Sequence, residues 1–203
     1  MARDKEETKA RILTAVGKLL AESGFKQLGV NAIAREAGVD KVLIYRYFGS
    51  LPTLLQTFGQ EGDYWLTSEE LIGDLSITAV APLEEWMNLL LVRFLRDLQQ
   101  RSITQEILRW ELLEGNELTQ ELAQVRDLMA IESLEFLKLK CSFPPDKDIP
   151  AMSAVLIAGI VYLVLRTKVS PTFLGIDFSS PEGWQRIEAA ISSLLQALQN
   201  DQQ

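Results

Sequence analysis

Histidine is absent from this sequence of 203 residues, and cysteine occurs once, at Cys141. Without histidine the chain cannot build a serine–histidine–aspartate triad, a cysteine–histidine dyad or a zinc site with histidine ligands. A single cysteine excludes an intrachain disulfide and is typical of a reducing compartment. We therefore expect no catalytic residues, no metal and no cofactor, and the protein is predicted not to be an enzyme.

Long apolar runs are missing as well. The longest, from Ala151 to Leu165, has 15 residues and is apolar except for Ser153, whereas a membrane span needs about 20. The start of the chain lacks the cationic segment and apolar core of a secretory signal. The sequence thus predicts a cytoplasmic protein that does not associate with a membrane.

Charge is divided between a basic start and an acidic remainder. The formal net charge is −8, which speaks against a chain that coats nucleic acid over its whole surface. Up to Phe48 there are nine lysines and arginines against six acids, and the rest of the chain has eleven against twenty-two. This asymmetry predicts a division of labour between a basic N-terminal module and an acidic body.

Helical periodicity runs through nearly the whole chain, and no segment predicts a strand. We expect Asp4 to cap the first helix and Gly24 to end it. The chain from Gly73 to Pro82 is predicted to be a connection. Later helices are predicted at about 30–37, 41–48, 51–67, 82–98, 103–113, 117–140, 151–166 and 181–200. The predicted fold class is therefore all-α, with about nine helices.

The segment from Ile33 to Phe48 predicts a helix-turn-helix. Two short helices that cross steeply need a small residue at the crossing, a residue that tolerates positive φ in the turn, and inward apolar residues. Ala34, Gly38 and Ile44 meet these needs in this order, and Asp40 can cap the second helix. An ordinary helical hairpin is the alternative interpretation.

The outer face of that second helix suits the major groove of DNA, which admits an α-helix. A lysine at the helix start can bind a phosphate or a guanine edge, Leu43 can touch a thymine methyl group, and tyrosine hydroxyls can reach phosphates. Tyr45 and Tyr47 could instead be packing residues. The candidate DNA contacts are Asn31, Lys41, Leu43, Tyr45, Arg46 and Tyr47.

These residues belong to a longer stretch, Thr8 to Leu55, that resembles the TetR family of bacterial transcriptional regulators. The matching segments are Arg11-Ile12-Leu13, Glu22-Ser23-Gly24-Phe25, Ile33-Ala34, Ala37-Gly38-Val39, Ile44-Tyr45-Arg46-Tyr47-Phe48, Ser50 and Leu54-Leu55. The resemblance covers about a quarter of the chain. It implies a helix-turn-helix DNA-binding domain over residues 1–50 and a helical effector-binding and dimerisation domain over residues 51–203.

The resemblance also implies a homodimer that binds a palindromic operator in double-stranded DNA, usually as a repressor. The last two long helices, Ala151 to Arg166 and Pro181 to Asn200, would form the dimer interface. The fourth helix, which starts after Ser50, would transmit effector binding to the DNA-binding domains.

A pocket among the body helices is implied too, and aromatic or sulfur side chains there suit a small apolar or aromatic effector. Plain core packing is the alternative for each of them. The candidate effector-binding residues are Trp86, Phe94, Trp110, Met129, Phe136 and Tyr162.

Three departures from the family pattern bear on DNA binding. Gly29 stands where the family usually has serine or threonine before the second helix, Val42 replaces an early glycine or proline, and Leu51-Pro52 replaces a basic opening of the fourth helix. Two phosphate contacts would then be missing, unless Lys5, Lys9 or Arg46 compensates. The alternative function is therefore a helical small-molecule-binding or protein-interaction dimer with weakened or lost DNA binding.

Four glutamates near the middle of the chain resemble a metal cluster only superficially. They are spread over about three helical turns around a Gly-Asn break, so we expect a solvated face rather than a ligand set. The four are Glu111, Glu114, Glu117 and Glu121.

Overall fold

The computed structural model describes residues 2–61, 64–66, 71 and 81–197, and only the backbone of residues 2 and 3. In these residues the chain forms nine α-helices, and a 3₁₀ turn at Phe25–Gln27 joins the first two. The helices are α1 (Ala2–Ser23), α2 (Val30–Ala37), α3 (Lys41–Phe48), α4 (Leu51–Glu61), α5 (Leu83–Gln100), α6 (Ser102–Glu114), α7 (Glu117–Lys140), α8 (Ile149–Arg166) and α9 (Pro181–Gln196). The all-α prediction is confirmed.

The bounds of α2, α3 and α7 are those predicted from the sequence. Asp4 is not the cap of α1, because the helix already begins at Ala2. The predicted fourth helix is too long, because α4 ends at Glu61 and residues 64–66 are not helical. Of the predicted connection from Gly73 to Pro82, residues 73–80 lie outside the described residues.

A short hairpin of two strands, each of two residues, lies between α8 and α9. It contradicts the prediction that the chain lacks strands. Strand β1 (Thr172–Phe173) pairs with β2 (Ile176–Asp177) in antiparallel fashion. At the tip Leu174 adopts φ +50° and Gly175 φ +75°. Hairpin turns with two positive φ angles usually carry Asn-Gly. Here leucine, for which positive φ is uncommon, takes the first position, so the sequence gives no signal for this turn.

The chain divides into two compact units, and neither coincides with the predicted domain boundary at residue 50. The N-terminal unit comprises residues 1–67 and 101–130, and the C-terminal unit comprises residues 68–100 and 131–203. The N-terminal unit therefore holds α6 and the first half of α7 besides α1–α4. The functional division at residue 50 stays a prediction.

The core of the N-terminal unit is a single apolar cluster. Each helix from α1 to α4 contributes a buried stripe, and α6 and α7 add one residue each to the cluster. Its larger members are Ile12, Val16, Leu20, Phe25, Leu28, Ile33, Ile44, Phe48, Leu54, Leu55, Phe58, Tyr64, Ile107 and Leu122. Helices of eight residues are not stable alone, so α2 and α3 depend on this cluster.

In the C-terminal unit α5 is the central helix, and both α8 and α9 pack against it. Arg96 of α5 donates two hydrogen bonds to the carboxylate of Glu188, and Ser192 bonds to Asn88.

In the described part of the chain, α8 is the one helix whose 18 residues are long and apolar enough to cross a membrane by length and composition. It is longer than the 15-residue apolar run suggested, because Ile149 and Pro150 precede that run and Asp148 caps the helix through the Ala151 amide.

Gly24 and Gly38 give a matched test of how the core restricts the chain. Gly24 has φ +70° and ψ −174°, and a Cβ there would lie 2.9 Å from the Trp110 ring. Gly38 has φ +64° and ψ +40°, and a Cβ there would meet nothing within 4 Å. We predict that G38A lowers the free energy of unfolding by about 1 kcal/mol, and that G24A lowers it by about 3 kcal/mol because backbone strain and overpacking add.

Urea denaturation followed by circular dichroism measures both variants. Equal midpoints for G24A and G38A would contradict the packing of Trp110 on Gly24.

Candidate functional site

The turn between α2 and α3 is built as the sequence predicts. Gly38 adopts the left-handed conformation, and the Val39 N–H donates to the Ala34 carbonyl at 3.0 Å. The Asp40 carboxylate then accepts the Val42 N–H at 2.8 Å, which caps α3. Together the glycine and the aspartate fix where α2 ends and where α3 begins.

Helix α3 has a buried face and an exposed one. Ile44 and Phe48 are 1% and 6% exposed and point into the apolar cluster. Lys41, Tyr45 and Arg46 are exposed, as is Asn31 on α2, whereas Leu43 and Tyr47 are half-buried. Val42, which the sequence reading did not place among the contacts, is also exposed.

The cations next to α3 are free of carboxylate partners. In the described part of the chain no acid pairs with Lys5, Lys41 or Arg46. Lys9 differs, because its ammonium lies 3.5 Å from the Glu6 carboxylate. The positive charge of Lys5, Lys41 and Arg46 is therefore available to an anionic ligand.

Tyr47 and Tyr45 differ in their surroundings. Tyr47 packs against the apolar cluster, and the ammonium of Lys5 lies 5.8 Å from the centre of its ring. The side chain of Tyr45 is 52% exposed. The buried part of Tyr47 therefore has the packing role that the sequence left open. Tyr45 instead projects from α3 into solvent.

Helix α6 contacts the α1 corner, the segment Ala21–Lys26 in which α1 ends and the 3₁₀ turn begins. One carboxylate oxygen of Glu114 accepts the N–H groups of Phe25 and Lys26 at 2.7 and 3.0 Å. The Trp110 indole donates to the Ala21 carbonyl at 3.3 Å, and its ring covers Gly24. The segment that leads from α1 into the helix-turn-helix is thus held by a helix about 90 residues further along the chain.

The four central glutamates do not form one uniform solvated face, because three of them bind groups on other segments. Glu114 binds the α1 corner, Glu121 accepts the amide of Gln56 at 2.7 Å, and Glu111 pairs with Arg126. Only Glu117 is exposed without such a bond. Their partners lie on segments far away in sequence, so helical periodicity gave no sign of these bonds.

A polar cluster inside the N-terminal unit joins α6 and α7 to Tyr64 and Trp65, which follow α4. Arg126 donates to the Tyr64 hydroxyl at 2.5 Å and to the Glu111 carboxylate, and its guanidinium lies 5.5 Å from the centre of the Trp65 ring. Thr104 donates to the Tyr64 carbonyl. Burial raises the pKa of Tyr64, so the phenol stays neutral and can accept the Arg126 hydrogen bond.

Of the six predicted effector-binding residues, two form a ring pair with each other within the part of the chain that the structure describes. Trp86 and Phe136 form an edge-to-face pair with ring centres 5.7 Å apart. Phe94 is buried on α5, and Tyr162 is exposed and contacts Phe173. Trp110 and Met129 belong to the N-terminal unit. The effector site stays a prediction.

Comparison with known proteins supports the interpretation of this geometry. Residues 12–56 match the model of the bacterial regulatory proteins, tetR family. The match spans α2, the turn, α3 and the adjoining parts of α1 and α4. The N-terminal domain is therefore a TetR-type helix-turn-helix domain, and the resemblance predicted from the sequence is confirmed. No curated protein matches the chain.

The fold of the whole chain is that of TetR-family regulators. NalD of Pseudomonas aeruginosa, the secondary repressor of a multidrug efflux pump, is 20% identical with a TM-score of 0.63, over 93% of this chain and 95% of that one. FadR of Bacillus subtilis, solved with stearoyl-CoA, is 19% identical with a TM-score of 0.64, over 91% and 96%. A putative TetR-family regulator of Rhodococcus is 20% identical with a TM-score of 0.64, over 94% and 99%.

The Glu114 contact predicts a local effect on hydrogen exchange. In E114Q the acceptor loses its charge, and hydrogen bonds to charged groups contribute about 1.5–3 kcal/mol. We expect the amides of Phe25 and Lys26 to exchange at least about 10-fold faster, and E117Q, which alters an exposed glutamate, to leave them unchanged. Exchange measured by NMR decides this, and unaltered protection of both amides in E114Q would contradict the contact.

Proposed function

We propose that this protein is a homodimeric, ligand-responsive, sequence-specific DNA-binding regulator that represses transcription in the cytoplasm. The observation that carries the proposal is the two-faced α3. One face is fixed in the apolar cluster by Ile44 and Phe48, and the other presents Lys41 and Arg46, with which no carboxylate of the described residues pairs. We propose no enzymatic activity.

DNA binding follows from the placement and charge of α3. An α-helix fits the major groove, and Lys41 at its first position lies where the helix dipole also favours an anion. Tyr45 and Arg46 lie one turn further along. Neutralising phosphates releases counterions, so binding is expected to weaken steeply with salt. The acidic remainder of the chain restricts this contact to residues 1–48, where lysines and arginines outnumber the acids.

Dimerisation is supported by the exposed surfaces of the last two helices. Helix α8 exposes Val155 and Tyr162 together with small residues between them, Ala158 and Gly159. Helix α9 exposes Leu194 beside small residues of its own. Small residues allow helices to approach closely, and a second copy with two-fold symmetry would cover both faces and impose a palindromic operator.

Regulation requires that an effector bind two conformations of the dimer with different affinities. The operator affinity then falls by the ratio of those two affinities. FadR of Bacillus subtilis, with stearoyl-CoA bound, shows that this fold can hold an apolar acyl ligand. We propose a small apolar or aromatic effector for this chain, with Trp86 and Phe136 among its contacts.

A second candidate function is an effector-binding dimer that has lost DNA binding. It is favoured by two departures from the family pattern, at the starts of α2 and α4. Gly29 makes no side-chain cap at α2, and Leu51-Pro52 supplies no cation at α4. Effector binding without any preferred DNA sequence would support this candidate.

Lys41 provides the test of DNA binding. Genomic fragments selected by the purified protein are labelled, and their affinity is measured by fluorescence anisotropy at several salt concentrations. We expect K41A to weaken the selected complex by about 1–3 kcal/mol, either uniformly if Lys41 binds phosphate or at one base position if it binds a base.

K138A makes the same charge change on α7, where Lys138 pairs with Glu135, and should bind as the native protein does. If the native protein forms no salt-sensitive, sequence-preferring complex, the proposed function is wrong.

Val155 provides the test of the dimer. It is 72% exposed in the single chain, so V155D should leave the protomer folded but bury an unpaired charge in the dimer, at a cost of about 3 kcal/mol or more. Sedimentation equilibrium should give twice 22.8 kDa for the native protein and 22.8 kDa for V155D. L139D, at a leucine that is 85% exposed on α7, is the control and should stay dimeric. Equal masses for the two variants would contradict the interface.

A further inference from the structure

We propose that Lys5 of α1 and Tyr47 of α3 form one phosphate contact at the edge of the recognition helix. In this contact the Tyr47 ring holds the Lys5 ammonium in place and does not read a base. The inference rests on the proposed DNA-binding function, and it assigns the contact to a lysine that lies outside the helix-turn-helix.

Lys5 is free to bind an anion. Its side chain is exposed, and no carboxylate in the described residues pairs with it. The nearby Glu6 carboxylate lies against Lys9 instead. Of the two lysines of α1 that could compensate for missing phosphate contacts, Lys9 is therefore engaged and Lys5 is available.

Tyr47 holds Lys5 beside α3. The Lys5 ammonium lies 5.8 Å from the centre of the Tyr47 ring, within the range of a cation–π interaction. The ring itself is half-buried against the apolar cluster. A ring packed in this way makes a stable platform, and an ammonium held on it loses less side-chain freedom when a phosphate binds.

The contact adds a cation to a helix-turn-helix that lacks cations at two other places. The starts of α2 and α4 carry Gly29 and Leu51-Pro52 and offer no cation. On α3 itself, Lys41 and Arg46 have no carboxylate partner in the ranges that the structure describes. Lys5 brings a third cation from another helix to the same recognition helix. Such a contact to the backbone positions the protein without reading sequence.

The test measures the salt dependence of DNA binding for K5A, Y47F and Y47L. Each phosphate contact adds about 0.9 to the magnitude of the negative slope of log K against log salt. K5A loses one contact in each protomer, so the magnitude of its slope should be smaller than the native value by about 2. K5A should weaken selected and scrambled DNA by the same factor, about 3- to 10-fold at moderate salt. Y47L should behave like K5A, whereas Y47F keeps the ring and should behave like the native protein.

K138A is the charge-matched control, and its slope should equal that of the native protein. A K5A slope equal to that of K138A would overturn the proposal, as would a change in the ratio of selected to scrambled affinity. A Y47F slope as low as that of K5A would overturn the platform role, because the hydroxyl would then be the contact.

These outcomes are distinct from failure of the proposed function, in which the native protein itself shows no sequence-preferring complex. If Y47L does not fold, as judged by circular dichroism, K5A still decides whether Lys5 binds phosphate, and Y47F whether the Tyr47 hydroxyl does.

Discussion

The burial of Ile44 and Phe48 is the constraint on which the recognition helix depends. Eight residues are too few for a stable isolated helix, and each fully buried side chain of this size contributes about 1.5–3 kcal/mol. The apolar cluster therefore fixes both the existence of α3 and its rotation. Because that rotation is fixed, Lys41, Tyr45 and Arg46 must face solvent, and a chain with a net charge of −8 presents a local basic surface.

The same cluster extends beyond the three helices that carry the family signature. Residues 101–130 belong to the compact unit that holds α1–α4, and Glu114 and Trp110 bind the corner between α1 and the 3₁₀ turn. A shift of α6 would act directly on that corner. The contacts of Glu114 and Trp110 thus hold the segment that leads into the helix-turn-helix from within the same unit.

Local patterns in the sequence sufficed for the helix-turn-helix, because Gly38 and Asp40 are signals that act within a few residues. They also predicted the bounds of α7, which Gly115 and Asn116 precede. They failed for the start of α1 and for the hairpin, where leucine occupies a position that usually takes glycine or asparagine. They could not reveal the bonds of Glu111 and Glu114, because the partners lie 15 and 89 residues away. For the same reason, local patterns could not predict that α6 packs in the N-terminal unit or that Lys5 lies on the Tyr47 ring.

The placement of α3 in the major groove can be examined by dimethyl sulfate protection of a DNA fragment that the protein selects. The reagent methylates guanine N7 in the major groove and adenine N3 in the minor groove. If α3 of each protomer occupies the major groove, guanine N7 should be protected in two patches about 10 base pairs apart. A bound complex that protects only adenine N3, or a single patch, would contradict this placement.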